Sequence, residues 1–254
     1  MGVSPEEVVG RTSLDYGATE EQVARYLEAD RTVMQTGLPL FIPQEEDMRP
    51  DRTTGWFQKT KTPYKHPDGD KPAILGVSID ITDRVKSEEL IRHMAQHDSL
   101  TGLANRALFS DRLGQALAMT RRSGMKLAVL FIDLDGFKPV NDTYGHGIGD
   151  LVLRETARRL LDAVRESDGV GRIGGDEFVV FLRTMENRGQ LRQLCSKIQS
   201  ALEQPYEIEG RVLNLSASIG QALYPDDAGD EGSLLAAADA DMYRVKKVGS
   251  HRDR

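Results

Sequence analysis

Cysteine is almost missing from this chain, since Cys195 is the only one among its 254 residues. A single thiol cannot form an intrachain disulfide, so the sequence suits a reducing compartment, and we expect a cytoplasmic protein. The chain also lacks any run of 18 or more apolar residues, which predicts no transmembrane helix and no membrane insertion. Its first residues have no apolar core of the kind that a signal peptide needs.

An excess of positive charge is missing as well. The 33 basic residues are outnumbered by 40 acidic ones, which gives a net charge of −7. General nucleic-acid binders are usually basic, so we predict no nucleic-acid partner. A mononucleotide is not excluded, because a few local cations and a metal ion can hold its phosphates. With 39% hydrophobic and 29% charged residues, the chain is expected to fold into one large or two modest domains.

The first third of the chain has the pattern of an antiparallel sheet covered by a helix. Three strand candidates cover residues 39–44, 55–64 and 72–81, and the turn cluster 67–70 separates the last two. A helical stretch over residues 19–35 precedes them. A second helical stretch, residues 84–96, is polar with only a partial apolar stripe, which is typical of either a coupling helix or a solvated linker.

After residue 98 helices and strands alternate. The helical segments are 100–120, 153–164, 191–202 and 234–245. Apolar runs at 127–132 and 178–182 predict buried strands, and residues 211–223 are rich in strand formers. This order predicts an α/β or α+β fold with a central sheet packed by helices.

Acidic residues follow two of the predicted strands. Asp133 and Asp135 end the first apolar strand, and a Gly174-Gly175 turn is followed at once by Asp176 and Glu177. If the hairpin lies beside the first strand, Asp133 and Asp176 face each other. Two such carboxylates repel unless a divalent cation neutralises them, and oxygen ligands favour Mg²⁺ or Mn²⁺. Alternatively, the two aspartates of the first strand cap the turn that follows it.

Other polar residues each allow a structural explanation. Asp150 is a suitable N-cap for a helix beginning at Leu151, and Lys246 is a cation near a helix C-terminus. Arg165 and Asp168 form an Arg-x-x-Asp tetrad of the kind found at solvated helix ends.

Three motifs together resemble the GGDEF family of diguanylate cyclases. They are the pentapeptide Gly174–Phe178, the string Asp133–Asp150, and the opening motif His97–Arg106, in which Asp98 and Arg106 are able to pair. The resemblance implies a palm-like domain similar to that of nucleotidyl cyclases, with a central, mainly antiparallel sheet, over residues 98–254.

The first 83 residues resemble the C-terminal half of a PAS sensor domain. The resemblance rests on the segment from Gly55-Trp56-Phe57 to the exit motif Asp80-Ile-Thr-Asp83. It is partial, because a PAS sheet normally begins with two strands before its helices and this chain opens near the helices. Residues 84–97 would then be a coupling helix that pairs across a dimer.

The GGDEF resemblance implies a catalytic role for Asp133, Asp176 and Glu177. It puts two Mg²⁺ or Mn²⁺ ions in each half-site, on Asp133 and Asp176, with the carbonyl of Leu134 as a further ligand. Glu177 would help to deprotonate the attacking hydroxyl, although metal coordination alone can also acidify that group. The implied reaction condenses two GTP into cyclic di-GMP and pyrophosphate across a homodimer.

The remaining implied residues bind nucleotide. Asn141 and Asp150 would read guanine, whose N1–H and 2-amino group an acidic acceptor can pair with, and adenine offers neither donor. Three further substrate-binding residues are Phe137, Lys138 and Lys246. The tetrad residues Arg165 and Asp168 would form an inhibitory site for the cyclic di-GMP product.

One departure from the family pattern follows Gly249, where Ser250 and His251 replace the usual arginine and asparagine. Weaker GTP binding is therefore expected. A GTP-sensing regulatory module attached to an EAL phosphodiesterase domain is the second hypothesis, and a receptor that only binds cyclic di-GMP is the third. A C-terminal EAL domain is a possible neighbour in the full-length protein.

Overall fold

The computed structural model describes residues 5–49, 51, 53–65 and 72–249. The chain divides into two compact units, with the boundary between Arg92 and His93. The turn cluster 67–70 lies outside the described residues, as do Ser250 and His251. In the described ranges no helix combines the length and apolar character needed to cross a membrane.

The first unit is a three-stranded antiparallel sheet in the order β1-β2-β3, preceded by helices. Its elements are α1 (Pro5–Val8), a 3₁₀ turn (Ser13–Tyr16), α2 (Glu20–Thr36), β1 (Leu40–Met48), β2 (Thr54–Lys65), β3 (Pro72–Asp80) and the start of α3 (Thr82–Gln96). Thr19 caps α2, since its hydroxyl accepts from the backbone N–H of Gln22 at 3.2 Å. The predicted helix and three strands of this region are confirmed.

Charged side chains occupy much of the space between α2 and the sheet. Lys59 of β2 is only 9% exposed and forms ion pairs with Glu45 at 2.6 Å and Asp47 at 2.5 Å. Its ammonium also lies 4.6 Å from the ring centroid of Tyr26 on α2. The interior of this unit is therefore held partly by an ion-pair network.

The second unit has a four-stranded sheet in the order β5-β6-β4-β9, in which every neighbouring pair is antiparallel. Its elements are α4 (Arg106–Ser123), β4 (Lys126–Asp135), α5 (Phe137–Tyr144), α6 (His146–Ala163), β5 (Gly169–Gly174), β6 (Glu177–Met185), α7 (Arg188–Leu202), β7 (Tyr206–Ile208), β8 (Arg211–Leu213), β9 (Ser216–Tyr224) and α8 (Glu231–Gly249). Strands β7 and β8 form a separate hairpin. The predicted mixed fold with a mainly antiparallel central sheet is confirmed.

Strand β4 is buried on both faces because helices cover both sides of the sheet. Leu130 and Ile132 point into a core shared with α6 and α7, whereas Val129 and Phe131 point into a core shared with α4 and α8. This two-residue alternation explains why the strand reads as an almost continuous apolar run.

Three details differ from the sequence predictions. The helix expected from residue 100 begins only at Arg106, because Asn105 caps it by accepting from the backbone N–H of Leu108 at 3.0 Å. The segment between Asp135 and the helix predicted over residues 153–164 is itself mostly helical, as α5 and the first half of α6. The strand-rich stretch 211–223 is divided between β8 and β9, which belong to different sheets.

Helix α8 packs unusually closely against β9 at Gly220. A Cβ atom there would lie 2.0 Å from the backbone nitrogen of Met242. Only glycine permits this approach, which fixes the distance between α8 and the central sheet.

Candidate active site

Asp133 lies near the end of the central strand, between two neighbouring strands. It pairs with Glu177 of β6 on one side and with Ser218 of β9 on the other, so the three side chains point to the same face of the sheet. The residue is 8% exposed. Its Oδ1 accepts a hydrogen bond from Nζ of Lys246 on α8 at 2.5 Å, which satisfies part of the need of a buried carboxylate for a partner.

The hairpin turn brings Asp176 to the same place, with one correction to the predicted pairing. Gly174 pairs with Glu177, so the two turn residues are Gly175 and Asp176, and Gly175 has a positive φ of 51°. The residue opposite Asp133 is therefore Glu177 rather than Asp176. Asp176 lies beside the strand end, where its carbonyl accepts from the backbone N–H of Leu134 at 3.3 Å.

Three acidic side chains crowd this end of the sheet. Burial and the nearby charge of Asp133 raise the pKa of Asp176. Burial, followed by the charges of Asp133 and Asp239, raises the pKa of Glu177. Although burial opposes it, hydrogen bonding to Asp133 raises the pKa of Lys246. The site therefore carries more negative charge than its one ammonium group neutralises.

This donor set fits a hard divalent cation. All the candidate ligands are oxygens, and a cation would relieve the repulsion by Asp133, which adds to burial in raising the pKa values of Asp176 and Glu177. No three His, Cys, Asp or Glu side chains of the described ranges form a complete metal site by themselves. That is compatible with Mg²⁺, which is commonly held by one or two carboxylates together with water and substrate phosphates.

Asp135 lies two residues after Asp133 on the same face of β4, and its charge contributes to the raised pKa of Lys246. Its carboxylate accepts from the hydroxyl of Ser218 at 2.9 Å and from that of Ser216 at 3.4 Å. The proposed alternative, in which Asp135 caps the following turn, does not account for these bonds across to β9. Sequence reasoning missed Ser218, although its position two residues after Ser216 in a strand is a signal that both face the same side.

Asn141 lies on α5 with one end of its side-chain amide buried. Its Oδ1 is the one buried side-chain polar atom of the described residues that has no hydrogen-bond partner. Helix α6 approaches this oxygen so closely that a Cβ on Gly149 would lie 1.9 Å from it. An unpartnered buried acceptor is costly, which points to a donor supplied by a ligand.

Asp150 follows directly after Gly149 and is exposed. Because α6 begins at His146, with Gly145 as its N-cap, Asp150 is in the second turn and the N-cap explanation is wrong. Phe137 is buried at the start of α5, and the neighbouring Lys138 is exposed. These positions leave Asp150 and Lys138 accessible to a ligand.

The Arg-x-x-Asp tetrad forms a tight turn after α6 rather than the end of that helix. The carboxylate of Asp168 accepts from the backbone N–H of Arg165 at 3.0 Å and from that of Arg183 at 2.9 Å. Both residues line a cavity of about 300 Å³ together with Arg112. Asp168 thus has a structural role whether or not it also contacts a ligand.

Arg172 is a residue of this region that sequence reasoning missed. Its guanidinium donates to both carboxylate oxygens of Asp98, at 2.9 and 3.0 Å, and to the carbonyl of Gly175 at 2.7 Å. The predicted pairing of Asp98 with Arg106 is therefore wrong. Arg106 instead lies near enough to Glu177 to oppose the rise in the pKa of that carboxyl. Arg172 ties the opening motif to the hairpin turn and so helps to position Asp176.

Comparison with known proteins gives the same division of the chain into two parts. Residues 95–252 match the family model for the diguanylate cyclase, GGDEF domain, and residues 1–86 match a model of the PAS fold. MucR of Pseudomonas aeruginosa, a bifunctional diguanylate cyclase/cyclic di-GMP phosphodiesterase, is 44% identical over 179 residues, which are 70% of this chain and 25% of MucR. The chain thus spans about a quarter of the length of that relative.

Solved structures resemble the second unit. The GGDEF domain of TpbB from Pseudomonas aeruginosa matches with a TM-score of 0.58 and 43% identity, covering 59% of this chain and 88% of that one. The coiled coil and GGDEF domain of DgcB from Caulobacter crescentus, in complex with c-di-GMP, matches with a TM-score of 0.59 and 28% identity, covering 66% and 89%.

Proposed function

Because this chain belongs to the diguanylate cyclase GGDEF-domain family and carries a PAS fold ahead of that domain, we propose that it condenses two GTP molecules into cyclic di-GMP with release of two pyrophosphates. The observation that carries this proposal is the convergence of Asp133, Asp176 and Glu177 at one end of the central sheet, facing Lys246. A cytoplasmic location, where GTP is available, belongs to the same proposal.

Asp133 and Asp176, with the carbonyl of Leu134, would hold two divalent ions in each half-site. Such ions would neutralise charge that develops on the phosphoryl oxygens and lower the pKa of the attacking hydroxyl. Lys246 neutralises Asp133 in the absence of nucleotide. When the triphosphate is bound, its oxygens offer the lysine an alternative acceptor. Lys138 is exposed on α5, which directly follows the strand that carries Asp133, and it would supply a second cation for the phosphates.

Asn141 and Asp150 would select guanine. The unpartnered Oδ1 of Asn141 can accept a hydrogen bond from the 2-amino group of the base. The exposed carboxylate of Asp150 can accept from N1–H. Adenine would leave the buried oxygen unpaired, and sites built on paired polar groups reject such analogues strongly. Phe137 supports this pocket by packing beneath Gly149, where it would lie 3.3 Å from an added Cβ.

Glu177 is suited to accept a proton from the attacking hydroxyl. Burial and neighbouring acids raise its pKa, which makes it a stronger base than an ordinary carboxylate. The alternative is that a bound metal ion acidifies the hydroxyl directly. The pH–rate profile of a Glu177→Gln variant distinguishes the two: a flattened acidic limb would favour Glu177 as the general base.

The product, cyclic di-GMP, would inhibit the cyclase by binding at the turn that contains Arg165 and Asp168. Arg165 can fork onto a phosphate of cyclic di-GMP, and Arg112 lines the same cavity of about 300 Å³. Asp168 already accepts two backbone hydrogen bonds, so it mainly fixes the turn and uses its remaining lone pairs for a guanine edge.

Catalysis would require two copies of the domain, each holding one GTP, with the 3′-hydroxyl of one attacking the α-phosphorus of the other. We assign residues 1–83 to the PAS-like part, 84–97 to the coupling helix and 98–254 to the cyclase domain. Helix α3 supports a pairing role because Leu90, Ile91 and Met94 are all more than half exposed. They form an apolar stripe that a second copy could cover.

A GTP-binding regulatory module is the second candidate, with an EAL phosphodiesterase domain following in the full-length protein. It is favoured by the bifunctional name of MucR and by Ser250, which replaces a usual phosphate-binding arginine.

Incubation of the chain with GTP and Mg²⁺, followed by chromatographic separation of nucleotides, tests the two candidates. We expect cyclic di-GMP from the native chain and at least about a hundredfold less from Asp176→Ala. The control is Asp162→Ala, at an exposed α6 residue that pairs with Arg158, which should leave the rate unchanged. GTP binding without product would favour the regulatory module, and equal turnover by both variants would refute the assigned site.

A further inference from the structure

Two histidines stack on each other where α3 ends. The ring centroids of His93 and His97 are 4.2 Å apart, and the ring planes are inclined by only 18°. The backbone N–H of His97 donates to the carbonyl of His93 at 2.9 Å, so the helical turn continues through His97. Because the two residues are four apart, both side chains lie on one face of that turn. Neither ring has a role in the reaction proposed above.

The ring of His97 is held in one orientation by the loop that follows it. Its Nδ1 lies 3.0 Å from the carbonyl oxygen of Gly102. Since a carbonyl oxygen can only accept, Nδ1 is the donor, and in a neutral imidazole Nε2 then has the available lone pair. Histidines that bind metal ions commonly donate the other ring N–H to a backbone carbonyl in this way. His97 is therefore oriented as a ligand through Nε2.

His93 is exposed, so its ring can turn and solvent ions can reach it. Two nitrogens bound to one tetrahedral Zn²⁺ at about 2.0–2.1 Å are about 3.4 Å apart. That spacing is close to the 4.2 Å between the two ring centroids. A rotation of His93 out of the stack can therefore bring both rings to one ion without a movement of the helix. The same four-residue spacing on a helix face supplies two zinc ligands in metalloproteases.

We propose that His93 and His97 bind one Zn²⁺ ion, with water in the remaining coordination positions. Imidazole nitrogen suits Zn²⁺, whereas Mg²⁺ prefers oxygen, so this site differs in metal preference from the carboxylate cluster. Two protein ligands are fewer than catalytic or structural zinc sites have, so the ion would exchange with solvent rather than be permanently bound. Because it binds only when both rings lie on one face, it would stabilise the helical end of α3.

Titration calorimetry of the whole chain with Zn²⁺ tests the proposal, with excess Mg²⁺ present to occupy oxygen sites. We expect His93→Gln to weaken Zn²⁺ binding by about tenfold or more, because glutamine keeps a polar side chain but has no imidazole. The matched control is His146→Gln, at an exposed residue that begins α6, and it should bind Zn²⁺ as the native chain does. Far-ultraviolet circular dichroism verifies that both variants are folded.

Amide hydrogen exchange shows whether the ion bridges the helical turn. When free Zn²⁺ is about ten times its dissociation constant, the N–H of His97 should exchange about tenfold more slowly in the native chain and at an unchanged rate in His93→Gln. Equal Zn²⁺ affinity of the native chain and His93→Gln would overturn the proposal. So would equal weakening in His93→Gln and His146→Gln, or exchange at His97 that saturating Zn²⁺ does not slow.

Discussion

The interiors of the two units are formed by different kinds of side chain. In the described part of the first unit only Val33, Ile81 and Val85 are both apolar and buried. On the sheet of that unit, Lys59 of β2 is buried in ion pairs with Glu45 and Asp47 of β1 and lies over the ring of Tyr26 on α2. In the second unit a four-stranded sheet has an apolar core on each face. One unit is therefore held by interactions that are sensitive to charge, and the other by the removal of apolar surface from water.

This difference suits the roles proposed for the units. Buried ion pairs contribute little net stability because desolvation offsets much of the attraction. A unit held in this way has a low energetic cost of rearrangement, which suits a sensor that responds to a ligand. The carboxylates at the end of β4 repel one another, so they need rigid support, and the two apolar cores supply it.

The largest effect is expected in the second unit, from Leu130→Ala. Leu130 is 0% exposed, and the cavity left at the centre of the sheet should cost about 2–5 kcal/mol of unfolding free energy. Denaturation followed by far-ultraviolet circular dichroism measures this loss, and Trp56 fluorescence should show an unchanged transition for the first unit. The control Leu161→Ala, at a residue that is 54% exposed on α6, should cost about 0.5 kcal/mol or less. Similar costs for the two variants would refute the description of the core.

In the first unit the corresponding change is Lys59→Met. It removes the cation from between Glu45 and Asp47 and should cost about 2–3 kcal/mol, because two carboxylates are left poorly solvated without a counter-charge. Trp56 fluorescence during urea denaturation measures the effect. Lys86→Met, at an exposed α3 position, is the control.

A triple variant makes the comparison sharper. Adding Glu45→Gln and Asp47→Asn to Lys59→Met removes the unpaired charges, so most of the lost stability should return. No recovery would mean that the network contributes specific hydrogen bonds rather than charge balance alone.

The fold was largely predictable because it follows from local periodicity. The apolar run that became β4 and the stripes of α6 and α7 indicate elements buried on known faces, whatever their neighbours. The start of α4 was less predictable, since it depends on a single cap at Asn105. The polar interior of the first unit could not be read from the sequence, because pairing of Lys59 with acids on β1 depends on strand register.

The sequence predicted which acidic motif residues lie together at the end of the central sheet, but not how they are arranged. The motif residues Asp133, Asp176 and Glu177 do meet, as the hairpin predicted. Which of the two hairpin acids lies opposite Asp133 depends on which residues form the turn. If the turn were one residue earlier, with Gly174 and Gly175, Asp176 would begin the next strand; with Gly175 and Asp176 in the turn, Glu177 begins it and pairs with Asp133. Arg172 was missed because its partners, Asp98 and Gly175, are joined only through tertiary structure.

The smallest effect expected is a gain in stability from Asp176→Asn, and it depends on pH. Burial and the charge of Asp133 raise the pKa of Asp176 in the folded chain, so the ionised carboxylate opposes folding at pH 7. The native second unit should therefore lose stability as the pH rises from about 4 through the raised pKa, and the variant should not. At pH 7 we expect the variant to be more stable by roughly 0.5 kcal/mol, with the difference vanishing near pH 4.

Mg²⁺ should reverse the order of stability of the two proteins, because it binds the native acid pair and stabilises only the folded state. Thermal denaturation at pH 4 and 7, with and without Mg²⁺, measures all four values. A native chain that is already the more stable at pH 7 without metal would contradict the repulsion on which the proposed metal site rests.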